Sequence, residues 1–246
     1  MIWEILDDYD ALSKRAASLL LDAIRATPRP VLGLPAGRTP EGMYERVVAA
    51  ARSDSVSFSA VTTFNLDEYA GVARDHPGSY YAYMKRHLFD RVDLDPSRTN
   101  VPDGAPVPRL GEPASDALAA ECARYEAAIK NAGSLGLTFL GLGTNGHIGF
   151  NEPGTPFDSR TRVVELAAST RMANSALFPA GKVPRLAITI GIATMLESSA
   201  IVLLASGEAK REAVARLRGN AADESFPASA LWRHPNVRVL VDRSAK

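Results

Sequence analysis

Residues 137–154, LTFLGLGTNGHIGFNEPG, carry two patterns in one stretch. Residues 137–142 are apolar on both faces, as a strand buried between two layers must be. The run then breaks into closely spaced glycines (Gly141, Gly143, Gly146) before His147 and, five residues on, Glu152. A buried strand that empties into a glycine-rich, chemically equipped loop points to an α/β sheet, in which ligands bind beyond the carboxyl ends of the strands.

Outward from that stretch the same alternation repeats. Short apolar runs at 31–34, 61–64, 162–166, 186–190, 200–204 and 237–241 predict further strands. Helical spacing over 9–26 (Leu12, Ala16, Leu19, Leu20, Ala23, Ile24), and patterns after Thr39-Pro40 and near 78–89, 114–131 and 208–218, predict helices. The expected fold is a single α/β domain over 1–246, Rossmann-like, with a largely parallel sheet flanked by helices on both faces. The proline-rich stretch at 102–113 is expected to be a surface loop.

Composition narrows the function classes. The 246 residues hold 28 Lys and Arg against 28 Asp and Glu. A neutral chain lacks the broad basic surface of a nucleic-acid or anionic-membrane binder, so neither partner is expected. No apolar run approaches the roughly 18–20 residues that span a bilayer, and Met1-Ile2-Trp3-Glu4 has no basic-then-apolar leader pattern. A single cysteine, Cys122, suits a reducing compartment, and a cytoplasmic location is the expectation. The same residue is expected in the core.

Three strand ends carry chemistry. LPAGRTP, residues 34–40, places Gly37 between a strand and a helix start, where backbone N–H groups can face an anion. It lacks the GK[ST] ending of a Walker A loop and is not GxGxxG. The competing reading is a plain structural turn. In FNLDEY, residues 64–69, Asp67 and Glu68 adjoin at the mouth of a strand and should point to different sides. Such an acid serves as a helix cap or a surface charge or, at the mouth of a central strand as expected here, as a general base. In the third loop, glycines on both sides leave the ring of His147 accessible, and histidine is suited to proton transfer near neutral pH. Glu152 precedes a proline, which excludes it from a continuing helix. His76, His87 and His234 are expected to be structural or exposed. No GxSxG or HExxH is present, and the four histidines match no metal-ligand spacing, so no metal and no cofactor are expected.

At these residues the chain resembles the glucosamine-6-phosphate deaminase family. The resemblance spans nearly all of it, through FNLDEYAG, HPGSYYAYM, NGHIGFNEPG, SRTRVVEL, TRMANS and FPASAL in that order. NGHIGFNEPG is the most specific. The related 6-phosphogluconolactonases share the fold and an NGH turn but not the FNEP continuation. The resemblance implies conversion of glucosamine 6-phosphate and water to fructose 6-phosphate and ammonia. It implies that His147 assists opening of the pyranose ring, that Asn145 and Glu152 hold its imidazole, and that Asp67 moves a proton from C2 to C1. Ala36, Gly37, Arg38, Thr39 and Lys210 match the family's phosphate site, and residues 155–185 its mobile lid. There Arg160, Arg162, Arg171 and Lys182 would add basic character useful for closing over an anion.

Departures from the family pattern matter as much. Asn145 stands where part of the family has aspartate and another part asparagine; it can hydrogen-bond His147 but cannot support an imidazolium by charge, and an altered pH dependence is expected. The phosphate loop of the family reads T/S-G-G-T-P, whereas here Ala36 lacks the hydroxyl and Arg38 replaces a glycine. The arginine expected two residues past Asn174 is Ala176. Arg38 could replace that lost guanidinium, since phosphate rewards a bidentate fork. Alternatively the pocket takes another amino sugar, with or without phosphate, or Arg38 faces solvent. Regulated members use a lysine where this chain has Val164 and an aromatic residue from a tail beyond Lys246, so no such allostery is expected. The rivals are a sugar-phosphate lactonase and a non-catalytic sugar-phosphate sensor; the neutral charge and the presence of Asp67, His147 and Glu152 weigh against the sensor. The expected partner is a small amino-sugar phosphate, and the expected state is a monomer or small homo-oligomer.

Overall fold

The computed structural model describes residues 1–53, 56–106, 114–178, 183–219 and 221–246. The chain enters through β1 (Ile2–Leu6), then turns at Asp8, whose carboxylate accepts the N–H of Ala11 at 2.8 Å and caps α1 (Tyr9–Ala26). There follow β2 (Val31–Leu34), α2 (Glu41–Arg52), β3 (Thr62–Asn65) and β4 (Asp67–Tyr69). Ser79 caps α3 (Tyr80–His87) through the N–H of Ala82, and β5 (Thr99–Asn100) and α4 (Ala114–Asn131) lead to β6 (Leu137–Gly141). Then come β7 (Arg162–Glu165), α5 (Ala168–Ala173), β8 (Leu186–Thr189) and α6 (Ile192–Leu196). The chain closes with β9 (Ala200–Ala205), α7 (Arg211–Arg218) and β10 (Val237–Asp242).

Seven strands pair in parallel in the order β1-β10-β9-β6-β2-β3-β5. Alternate residues of each inner strand enter opposite cores. Phe139, Val202, Leu204 and Leu240 pack with Leu12, Leu20, Met43 and Val47 of α1 and α2. Leu140, Ile201, Leu203, Val239 and Val241 pack with Tyr125 of α4 and Val214 and Leu217 of α7. Both faces are thus covered, which is why these strands read as unbroken apolar runs. Cys122 is buried in α4, and burial pushes its thiol up to about 11.

The chain order explains where a ligand can enter. From β2 the chain proceeds outward to β3 and β5, then returns through α4 to β6 on the other side of β2. The direction of winding reverses between β2 and β6, and the loops leaving their carboxyl ends splay apart to form a crevice.

Three sequence expectations need correction. The strands expected at 162–166 and 186–190 do not extend the parallel sheet. They are β7 and β8 of a separate antiparallel sheet, order β4-β8-β7, with Asp67 opposite Thr189 and Arg162 opposite Thr189 on the other side. The physical reason is that β7 is only partly buried and β8 starts on exposed Leu186, as suits a small sheet lying over the crevice mouth. Nor is β3 central: beyond it lies only the two-residue β5. The segment 64–69 is also not one strand end. It breaks at Leu66, where the chain leaves the large sheet and joins the small one, so Asp67 sits at their seam. Residues 107–113 of the expected proline-rich loop lie outside the described residues. Among the described residues no helix is long and apolar enough to cross a membrane.

Candidate active site

A cavity of about 700 Å³ occupies the crevice. It is bordered by residues 35–39 after β2, Asp67 of β4, residues 141–145 and His147 after β6, Thr170 and Asn174 of the overlying segment, and Lys210. The volume suits a sugar phosphate. The expected residues from all three loaded strand ends therefore converge on one space, with Glu152 standing behind the cavity wall.

Asp67 and Glu68 divide cleanly. Glu68 points to α3 and accepts the backbone N–H groups of Tyr69, Tyr80 and Tyr81, each at 2.9 Å. It is the helix anchor of the pair. Asp67 faces the cavity, is 6% exposed and accepts no side-chain hydrogen bond from the described residues. Burial, then the neighbouring Glu68 carboxylate, push Asp67 up to about 8. A methyl group on Gly149, whose φ is +56°, would lie 3.3 Å from Oδ2 of Asp67; glycine there supplies both the backbone turn and the clearance.

The histidine is held by a relay whose polarity can be read from its ends. A carboxylate can only accept, so the 2.7 Å contact between Glu152 Oε2 and Asn145 must involve the amide nitrogen of Asn145. That turns Asn145 Oδ1 to His147, where it accepts from the backbone N–H and lies 2.7 Å from Nδ1. Nδ1 therefore carries the proton, and Nε2 keeps its lone pair. Burial, chiefly, lowers the pKa of His147; Glu152 opposes that shift and Lys210 adds to it. A neutral imidazole with a free Nε2 can take and return a proton at oxygen. The ring fits because residue 143 is glycine, where a Cβ would fall 2.3 Å from Nδ1.

One member of this relay escaped the sequence reading. The hydroxyl of Thr170, on α5, donates to Oε1 of Glu152. TRMANS was visible as a segment, but nothing in it marks its threonine as the carboxylate's donor.

The opposite wall is built for an anion. Gly37 has φ +114°, open to glycine alone in practice, and the N–H groups of residues 36–39 meet no acceptor among the described residues. The start of α2 lies directly beyond. Lys210 borders the same space, and its pKa is lowered by burial and then by the charge of Arg38. Among the described residues neither Arg38 nor Lys210 is paired with an acid, although the carboxylate of Glu41 borders the same cavity; two such unpaired cations are what a multiply charged anion would neutralise. Ala176 is exposed and does not border the cavity, whereas Arg38 does.

The basic character expected of residues 155–185 is not directed at the cavity. Arg160 pairs with Glu197, and Arg162 donates to Asn151 at 2.9 Å and to Thr155 at 3.3 Å. Neither they nor Arg171 border the cavity: Arg160 and Arg162 are engaged within or behind the small sheet, and Arg171 lies on α5 with its Nε buried and without a hydrogen-bond partner among the described residues. Lys182 lies outside the described residues. His234 accepts the backbone N–H of Asn236 at Nδ1 and donates from Nε2 to the Ser198 carbonyl, and His87 stacks on Tyr83, both structural. Among the described residues no group of three or more His, Cys, Asp and Glu is arranged to hold a metal ion.

Residues 7–241 match the family model for glucosamine-6-phosphate isomerases and 6-phosphogluconolactonases. The chain belongs to that family. It is 47% identical to the glucosamine-6-phosphate deaminase of Shouchella clausii over 239 residues, 97% of this chain and 93% of that one. Deaminase 1 of Bacillus subtilis is likewise 47% identical, over 96% of this chain and 95% of its own length. The solved structure of a monomeric glucosamine-6-phosphate deaminase superposes with a TM-score of 0.94 at 46% identity, covering 100% of this chain and 98% of that one. A 6-phosphogluconolactonase from Thermotoga maritima superposes at 0.74 with 19% identity over 98% of both chains, which establishes shared fold alone.

Proposed function

We propose that the chain converts glucosamine 6-phosphate and water to fructose 6-phosphate and ammonia. The observation that carries this reading is the pairing, across one cavity, of a buried carboxylate that meets no hydrogen-bond donor among the described residues with a neutral, relay-held imidazole. Opening a hemiacetal requires a group that exchanges protons at oxygen; shifting a proton between adjacent carbons requires one carboxylate that reaches both.

In this reading Nε2 of His147 takes the proton from the O1 hydroxyl and returns one to the ring oxygen as the C1–O5 bond breaks. Asn145, Glu152 and Thr170 hold the tautomer through both transfers. Asp67 then removes the proton from C2 as O1 takes one up, which gives an enolamine, and delivers its proton to C1 as the nitrogen gives up an N–H proton, leaving an imine at C2 and a hydroxyl at C1. Water adds to that imine and ammonia departs, so that no external oxidant or reductant enters the balance. The raised pKa of Asp67 makes it a strong base once ionised.

The phosphate is held by the N–H groups of Ala36, Gly37, Arg38 and Thr39, with Lys210 and the guanidinium of Arg38 adding charge. Arg38 takes over the role left open at Ala176, a substitution supported by its position beside Lys210. Residues 155–185, within the single domain 1–246, act as a lid that moves with substrate. The protein works in the cytoplasm as a monomer or small homo-oligomer on a small amino-sugar phosphate.

Ammonia release from glucosamine 6-phosphate, measured beside acid release from 6-phosphogluconolactone, tests the reading. Ammonia without lactone hydrolysis is expected; the reverse overturns it.

A further inference from the structure

The loop that faces the anion site is held by three tyrosine hydroxyls drawn from three helices, of which Tyr9 also borders the cavity. Tyr44 of α2 donates to the carbonyl of Pro35 at 2.7 Å, and Tyr83 of α3 donates to the carbonyl of Gly37 at 2.7 Å. Tyr9, the first residue of α1, reaches the carbonyls of Arg38 at 3.2 Å and Thr39 at 3.1 Å, while its oxygen accepts the N–H of Gly42 at 2.9 Å.

A trans peptide is rigid and planar, with its C=O and N–H pointing in opposite directions. Fixing the carbonyls of residues 35, 37 and 38 therefore fixes the N–H groups of residues 36, 38 and 39 on the other side. Those are three of the N–H groups that meet no acceptor among the described residues. Without the phenols, the positive φ of Gly37 leaves the loop with conformational freedom that an incoming anion would have to remove.

We propose that Tyr9 and Tyr83 are positioning residues for phosphate binding: they pre-organise residues 37–39 so that the amides of Arg38 and Thr39 already face the cavity. This rests on the reading that residues 36–39 and Lys210 hold the substrate's phosphate. Tyr44 performs the same service at Ala36 from inside the core. Its full burial also ties it to folding, so the two outer tyrosines are the discriminating ones.

The test uses Tyr9→Phe, Tyr83→Phe and the double variant, each losing only a hydroxyl. Tyr81→Phe, whose ring lies beside Arg74 and away from the loop, is the control. Inorganic phosphate serves as the probe, measured as a competitive inhibitor, alongside KM and kcat for glucosamine 6-phosphate. One hydrogen bond each corresponds to roughly three- to tenfold weaker phosphate inhibition and a parallel rise in KM, with kcat little changed. A general loss of packing would instead lower kcat and melting temperature together. Phosphate inhibition and KM unmoved in the double variant overturn the proposal. Lys210→Met separates the two levels. If it too leaves phosphate inhibition intact, the phosphate site itself is misassigned. If it abolishes inhibition while the tyrosine variants do nothing, only the positioning role fails.

Discussion

Asp67 and Glu68 are adjacent in the chain and face opposite ways: Glu68 accepts the backbone N–H groups of Tyr80 and Tyr81 at the start of α3 and that of Tyr69, whereas Asp67 borders the cavity with no donor on its carboxylate among the described residues. Two acids in sequence thus become one anchor and one reactive group. Glu68→Gln places an NH2 where Oε2 now receives the N–H of Tyr81, setting donor against donor. The expected cost is about 1–3 kcal/mol of stability. Because the Glu68 charge also raises Asp67, the acid limb of kcat/KM should shift to lower pH. Thermal melting and a pH–rate profile on the same variant check both effects.

Asp67 links activity to stability with a definite sign. Its folded pKa of about 8 lies above the ordinary value for an aspartate, so between those two values the folded state holds a proton that the unfolded state has lost. Its contribution to stability is full at acidic pH and is lost as pH rises toward 8. Asp67→Asn removes that loss. Compared with the parent, the variant should gain in relative melting temperature from pH 5 to pH 8; a constant difference across that range would contradict the assignment.

Replacing Asn145 by Asp adds a negative charge against Nδ1 of His147. An opposite charge at hydrogen-bond distance stabilises the imidazolium, so the pKa of His147 should rise. As the neutral ring is the form that accepts a proton, activity at mildly acidic pH should fall. Titration of the imidazole by NMR reads the shift directly. Thr170→Val should act on the same relay by removing the donor to Glu152 Oε1, with Thr170→Ser restoring it.

Arg38→Gly tests the exchange of arginine positions. If Arg38 supplies the charge missing at Ala176, KM for glucosamine 6-phosphate should rise tenfold or more, since charge-assisted hydrogen bonds are worth about 1.5–3 kcal/mol. A double change, Arg38→Gly with Ala176→Arg, should recover part of the loss. An unchanged KM in the single variant would show Arg38 to be a solvent-facing side chain.

The large sheet was legible because β2, β6, β9 and β10 are apolar on both faces, a pattern that burial between two helical layers imposes. The small sheet was not. β4 has only three residues and two of them are acids, so a hydrophobicity pattern finds nothing there, and its partner β8 lies far along the chain. Asp67, Asn145, His147 and Lys210 were visible through residue type and through the resemblance, and they border one cavity. Tyr9 gave no signal, because its partners at residues 38, 39 and 42 come together with it only once α1 packs on α2. The basic residues of 155–185 misled for the opposite reason: charge is legible in sequence, but the acid or amide that consumes it, such as Glu197 for Arg160, is not.

The assignment of Asp67 as the carbon base is tested most directly by ammonia release from Asp67→Asn under saturating glucosamine 6-phosphate, with binding measured separately by calorimetry. The expected result is substrate affinity close to that of the parent and a rate reduced by at least ~10²-fold, the usual contribution of a positioned general base. Ammonia release within tenfold of the parent at unchanged affinity would contradict it.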